Sequence, residues 1–333
     1  MRSFIAIATV SAAAIATSVC AHAQVTARYQ DILEQPSAFY ASEGARRIAD
    51  SVLRYQRPSG GWPKDIDMTR PPADGTAPSR PDATIDNGAT TTEIRLLSLV
   101  ASADQAGSSS GREGYMAAAT RGIDYLLEAQ YPNGGWPQFF PLRDDYSRHI
   151  TFNDNAMVRV MTLLDEVSRG VAPFASTDAV RRERARTAVD RAVAVVLKAQ
   201  IIVNGQLTAW GAQHDAVTLE PRPARAYEHV SLSSNESVGI VRFLMRRDPS
   251  PEVVRAVDAA VAWLIRARLD DGRWARFYEI GTNRPIFSGR DGIVRYKLEE
   301  IEKERREGYA WYGTWPVNLL EKQYPAWKAR LSR

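Results

Sequence analysis

Tyr125-Leu126-Leu127-Glu128-Ala129-Gln130 runs through Tyr131-Pro132-Asn133 into Gly134-Gly135-Trp136-Pro137. The first part ends an amphipathic stretch. The second is a glycine turn that Trp and Pro lock in shape. Working outward, the same layout recurs. Val52-Leu53-Arg54-Tyr55-Gln56 leads into Gly60-Gly61-Trp62-Pro63, and Val195-Val196-Leu197-Lys198-Ala199-Gln200 leads into Gly205 and Trp210. Trp263-Leu264-Ile265-Arg266-Ala267 leads into Gly272-Arg273-Trp274. The four turn Trp residues are spaced by 74, 74 and 64 positions, room for two helices and two loops each. A period of this kind predicts stacked helical hairpins.

Partner helices are predicted between the turns. Apolar residues recur at helical spacing over 90–102 (Ile94, Leu97, Val100), 155–167 (Met157, Val160, Met161, Leu164) and 233–246 (Val238, Val241, Leu244). Longer helices are predicted over 112–130, 177–200 and 251–267, with starts at Ser176 or Thr177 and at Ser250-Pro251. Strand-like alternation is confined to 276–280 and 285–287. The expected fold is all-α: an (α/α) barrel or toroid of helical hairpins with a loop-rich cleft. The Trp rings could plug hairpin ends or stack on sugar faces. The Pro-rich stretch 69–83 is expected to wall a binding site.

The 333 residues are 44% hydrophobic and 25% charged, globular values that exclude a disordered or fibrous chain. The single Cys excludes a disulfide framework. Arg2, the apolar run Phe4–Cys20 and Ala21-His22-Ala23 read as an export signal cut after Ala23, leaving one domain over 24–333. A periplasmic or secreted protein without a membrane anchor is expected, acting as a monomer. Of 43 basic residues only six are Lys, so 37 are Arg, the fork-shaped binder of carboxylates. The mature charge of +3 and the lack of a basic tract argue against nucleic acid.

Polar residues gather just before two predicted helices: Thr84-Ile85-Asp86-Asn87-Gly88-Ala89-Thr90 and Thr151-Phe152-Asn153-Asp154-Asn155-Ala156-Met157. Both carry Asp-Asn, which puts Asp86 and Asp154 at matching places. Such residues cap helices, and their oxygens also suit Ca²⁺. A third group holds Arg276, Arg284 and Arg290 among aromatics within 15 positions, a pattern suited to an anionic ligand. The Glu/Lys/Arg run 299–307 reads as a solvated helix face. Walker, dinucleotide and HExxH motifs and a nucleophile elbow are absent.

These motifs, with Arg225-Ala226-Tyr227-Glu228, Ser231-Leu232-Ser233, Arg276-Phe277-Tyr278-Glu279, Ser288-Gly289-Arg290-Asp291-Gly292 and Gly308-Tyr309-Ala310-Trp311-Tyr312-Gly313, resemble the family 10 pectate lyases. The resemblance runs from about Gln56 to Pro316, in order. It implies a polygalacturonate cleft, Ca²⁺ dependence and cleavage by β-elimination. It further implies Arg225 as catalytic base, Asp86 as needed beside the metal, and Asp154 as a further metal ligand or substrate contact. Substrate contacts would come from Arg276, Arg290, Arg284, Tyr227, Lys64 and Asn87. Arg is an awkward base because a free guanidinium stays protonated, so nearby cations are expected to lower its pKa and the pH optimum should be alkaline. Two other readings remain: an inverting glycoside hydrolase using Asp86 and Asp154, and a non-catalytic glycan binder with Trp platforms.

Overall fold

Each repeat Trp closes the helix before it. In the computed structural model, which describes residues 28–73, 82–103 and 109–332, Trp62, Trp136, Trp210 and Trp274 are all buried. Their indole N–H groups donate to the carbonyls of Val52 (2.9 Å), Leu126, Val196 and Leu264 (2.7 Å each). Those carbonyls lie in the last turns of α1 (Glu43–Leu53), α3 (Ser109–Glu128), α5 (Ala179–Ala199) and α7 (Pro251–Arg266). The last four carbonyls of a helix have no partner within it, so each Trp fills the hairpin end and satisfies one of them. The rings are structural plugs, and the sugar-platform reading of them is overturned.

The Gln before each turn joins one such helix to the next. Gln56 Nε2 donates to Gly60 O and to Ala118 O on α3. Gln130 repeats this with Gly134 O and Ala188 O on α5, and Gln200 with Thr208 O and Ala256 O on α7. In the fourth repeat Arg268 takes the place, donating to Gly272 O. Gly60 must be glycine: its φ is +95°, and a Cβ would lie 2.5 Å from Arg121 O.

The result is two layers. α1, α3, α5 and α7 form the outer one. The inner one is α2 (Thr91–Ala103), α4 (Ala156–Arg169) and α6 (Ser234–Leu244), each packed antiparallel on its successor in the chain. This bears out the all-α toroid of hairpins. Helix ends agree with the periodicity to within a turn, with one correction: α5 is capped by Asp178, which accepts from Arg181 N, and neither Ser176 nor Thr177 starts it. Ser250 and Pro251 start α7 as expected. Among the described residues no helix is long and apolar enough to cross a membrane. The export segment and residues 74–81 of the Pro-rich loop lie outside the described residues.

The Trp backbone also sets the inner helices. Trp62 O accepts from Thr84 N (3.0 Å), Trp136 O from Thr151 N (3.1 Å) and Trp210 O from Ser233 N (2.8 Å). The three lead-ins to α2, α4 and α6 are thereby hung at one end of the toroid. Two-residue strand pairs fasten the long loops over that end: 150–151 with 213–214, 232–233 with 277–278, and 274–275 with 312–313.

Candidate active site

The Trp hydrogen bonds also fix which polar residues correspond. Counting from Thr84, Thr151 and Ser233, Asp86 matches Asn153 and Asn235, while Asn87 matches Asp154 and Glu236. The backbone agrees: each short turn has two successive residues at positive φ, Asn87 (+51°) and Gly88 (+81°) in the first and Asp154 (+49°) and Asn155 (+60°) in the second, a conformation Gly, Asn and Asp tolerate. Asp86 and Asp154 therefore occupy neighbouring places in the motif, one residue out of register. The third copy, Asn235-Glu236, has no Asp-Asn to reveal it.

Asp86 is nearly buried. Lys64 Nζ donates to its Oδ2 at 2.5 Å and Asn87 N to its Oδ1 at 3.0 Å. Burial would lower the Lys64 ammonium, but the hydrogen bond and charge of Asp86 outweigh it, and the net shift is upward. Asn87 is exposed and donates to Asp65 Oδ1 at 2.9 Å.

Arg276 is a buried hub. Its Nη2 reaches Glu236 Oε1 at 2.5 Å and Asp154 Oδ1 at 2.8 Å. Burial opposes its charge, yet Glu236 and Asp154 keep it protonated. Ser233 Oγ donates to the other Glu236 oxygen. A guanidinium only 6% exposed and already ion-paired holds Asp154 in place from behind.

Arg225 stands on the loop before α6, 42% exposed. It is bidentate on Glu228: Nε to Oε2 at 2.8 Å and Nη2 to Oε1 at 2.5 Å. This hydrogen bonding raises its pKa, more than burial lowers it. The chain's own groups around Arg225 thus hold the proton on, opposite to the expected lowering. Tyr227 is buried, its ring between the guanidinium carbons of Arg225 (4.9 Å) and Arg305 (4.8 Å). Arg305 is itself largely buried, so the charged run at 299–307 is not wholly a solvated face. Tyr309 donates to Glu228 at 2.9 Å and lies under Arg276 at 5.0 Å, linking the Arg225 and Arg276 clusters.

Tyr146 ties the two sides together. It is half-buried, and burial raises its pKa. The charges of Arg225, Glu228, Lys64 and Asp86 all reach it. Lys64–Asp86 and Arg225–Glu228 therefore both lie within electrostatic reach of this one side chain. Arg290 is exposed, pairs with Glu304 at 3.0 Å and lies in electrostatic reach of Tyr227. Arg284 stacks on Tyr296 at 3.6 Å on a surface turn, and no contact among the described residues ties it to the cleft. Glu228 and Tyr309 lie in the family-like motifs but carry no role there, Glu236 lies at the start of the predicted 233–246 helix, and Tyr146 carries no sequence signal. His214 offers no base: burial lowers its pKa to about 4, and Gly211 N–H donates to its Nε2.

No group of three or more His, Cys, Asp or Glu side chains capable of holding a metal occurs among the described residues. The donors that fit Ca²⁺ are few: Asp86, Asp154 and the amide oxygens of Asn87 and Asn153. Both carboxylates already face a cation. Ca²⁺ takes about six to eight oxygens, so this set could hold it only together with oxygens from substrate and water.

The geometry has close counterparts. The profile of the pectic acid lyase family matches residues 56–273 and 270–320. The chain is similar to the solved family 10 polysaccharide lyase from Cellvibrio cellulosa, with 36% identity, TM-score 0.78, and coverage of 88% of this chain and 97% of that one. It is equally similar to an alanine-for-aspartate mutant of that enzyme in complex with trigalacturonic acid (35%, 0.79, 89% and 97%). Among curated protein sequences none matches. By the span of the profile and the identity over nine-tenths of its length, the chain belongs to the pectic acid lyase family and is a polysaccharide lyase of the pectate type.

Proposed function

We propose that the chain cleaves α-1,4-galacturonan by Ca²⁺-dependent β-elimination, with Arg225 as base, leaving 4,5-unsaturated oligogalacturonates. The observation that carries this is the Arg225–Glu228 pair, its guanidinium partly exposed and its carboxylate buried, lying within electrostatic reach of the same Tyr146 as Lys64–Asp86. Trigalacturonic acid bound to the Cellvibrio lyase mutant supports the substrate class.

The proton on C5 of a uronate lies α to the carboxylate. Removing it builds enolate-like charge on that group. Lys64 and Arg290 present partly or largely exposed cations for substrate carboxylates, and exposed Asn87 presents an amide to hydroxyls. Asp86 holds Lys64 in place, and Arg276 holds Asp154. Bound at Asp86 and Asp154 with substrate oxygens, Ca²⁺ would supply Lewis-acid stabilisation of the substrate carboxylate. Arg225 must give up a proton before it can accept one from C5. Since Glu228 opposes that, the activity is placed at alkaline pH. An inverting hydrolase needs one protonated carboxyl, whereas Asp86 and Asp154 both accept from cations. A polymer too large to enter a cell also fits the export signal read over 1–23.

The test is ultraviolet absorbance of the unsaturated product from polygalacturonate. Signal that chelator removes and Ca²⁺ restores is expected. An Arg225→Ala protein should lose about 10²–10⁴-fold in kcat. Wild-type kcat in that variant, or turnover indifferent to chelator, sinks the base or the metal assignment respectively.

A further inference from the structure

Arg159 stands in the first turn of α4, five residues after Asp154. Val158 and Val160 on either side of it are buried, whereas Arg159 is exposed, so its side chain leaves the core. Its guanidinium reaches Gly88, the last residue of the Asp86 turn. A Cβ added at Gly88 would lie 3.5 Å from Arg159 Nη1 and 3.3 Å from Thr92 Oγ1. The bare Cα of Gly88 therefore leaves a recess between a guanidinium from α4 and a hydroxyl from the first turn of α2. Lys64, Asn87, Gly88 and Thr92 also line a cavity of about 570 Å³, within the roughly 300–1,000 Å³ range of small-ligand sites. There is room for a sugar ring beside this turn.

The other cations of the site are shared with carboxylates of the chain: Lys64 with Asp86, Arg225 with Glu228, Arg276 with Glu236 and Asp154, and Arg290 with Glu304. Arg159 has no hydrogen bond or ion pair among the described residues, and neither does the Thr92 hydroxyl. A guanidinium fork matches a carboxylate in shape as well as charge, and the pair is stronger than one between neutral groups. A substrate carboxylate that meets Arg159 displaces no carboxylate of the protein. Polygalacturonate carries a carboxylate on every unit, so a unit lying on the Asp86–Gly88 turn brings the partner that this recess lacks. We infer that Arg159, assisted by the Thr92 hydroxyl, binds the carboxylate of the uronate unit on that turn and makes the protein demand a free acid there. The inference rests on the lyase reading and adds to it a residue that sets ester tolerance.

The test measures kcat and KM, with Ca²⁺ present, on polygalacturonate and on pectin with about half of its units methyl-esterified. Arg159→Gln should raise KM for polygalacturonate about tenfold and leave kcat within about twofold, because a contact made equally in ground and transition states is lost. The rise should be smaller on the esterified polymer, so the native preference for the free acid shrinks. Arg159→Lys keeps the charge without the fork and should recover part of the affinity. Thr92→Val should raise KM about threefold. Substitutions on two helices, each checked for an intact melting transition, guard against a fold defect in either. KM within about twofold of native in both Arg159→Gln and Thr92→Val, or an equal rise on both polymers, overturns the inference. So does a loss of kcat at native KM, which marks a role in the chemistry instead. No turnover by the native protein defeats the lyase reading, and this inference with it; native turnover with unmoved KM in the variants defeats this inference alone.

Discussion

Tyr309 Oη donates to Glu228 Oε1 at 2.9 Å, the same oxygen that Arg225 Nη2 reaches at 2.5 Å. One buried carboxylate is thus shared between a neutral donor and the proposed base. Glu228→Gln keeps the shape and removes the charge, so the Arg225 pKa falls and the acid limb of the kcat–pH profile moves to lower pH. Tyr309→Phe removes the competing donor, leaves more of the charge to Arg225, and moves the limb the other way. pH–rate profiles of both variants check this. Profiles that superpose on the native one would mean that Arg225 is not the titrating group.

Arg276 and Glu236 form the second prediction. Glu236 is fully buried and its charge is compensated chiefly by Arg276. Arg276→Met strands that charge, at a cost of about 3–5 kcal/mol by urea denaturation. Adding Glu236→Leu removes the stranded charge and should restore most of the stability. Activity should stay lost, because Asp154 has still lost the guanidinium that holds it. A double variant as unstable as the single one would refute this account.

What was legible in the sequence follows the range of the interactions. Helix spans came from local periodicity, and the Gln–turn–Trp unit spans ten residues or so, so its repetition announced the hairpins. The register of Asp86 and Asp154 was misread by one, because a left-handed φ at Asn87 and Asp154 leaves no mark on composition. Arg276 meets Asp154 across 122 positions and Tyr309 meets Glu228 across 81. Pairings at that distance exist only once the lead-ins hang from the Trp carbonyls. Arg276, read as a substrate contact, looked free in the sequence for that reason.

The Trp plugs give a third prediction. Trp136→Phe keeps an aromatic ring but abandons Leu126 O at a helix end. The expected loss is about 1–3 kcal/mol of stability with KM for polygalacturonate unchanged. A sugar platform would behave in the opposite way, with raised KM and an unmoved melting temperature.

Glu93 makes stability depend on pH in a defined window. Burial lifts its pKa from 4.5 to about 7. Between those values the folded protein holds a proton that the unfolded chain has released. Unfolding free energy therefore falls as pH rises through this interval, by up to about 3 kcal/mol, and is level above it. Asp215 and Asp291, whose backbone and Arg hydrogen bonds hold them near 2, work in the opposite sense and only at lower pH, as their contribution is lost when pH falls toward 2. Glu93→Gln cannot ionise, so its melting temperature should gain on the native protein steadily from pH 4.5 to 7 and then run parallel to it. Calorimetric melts of the two proteins across pH 4 to 8 measure the difference directly. Curves parallel throughout would show that Glu93 does not titrate in this window.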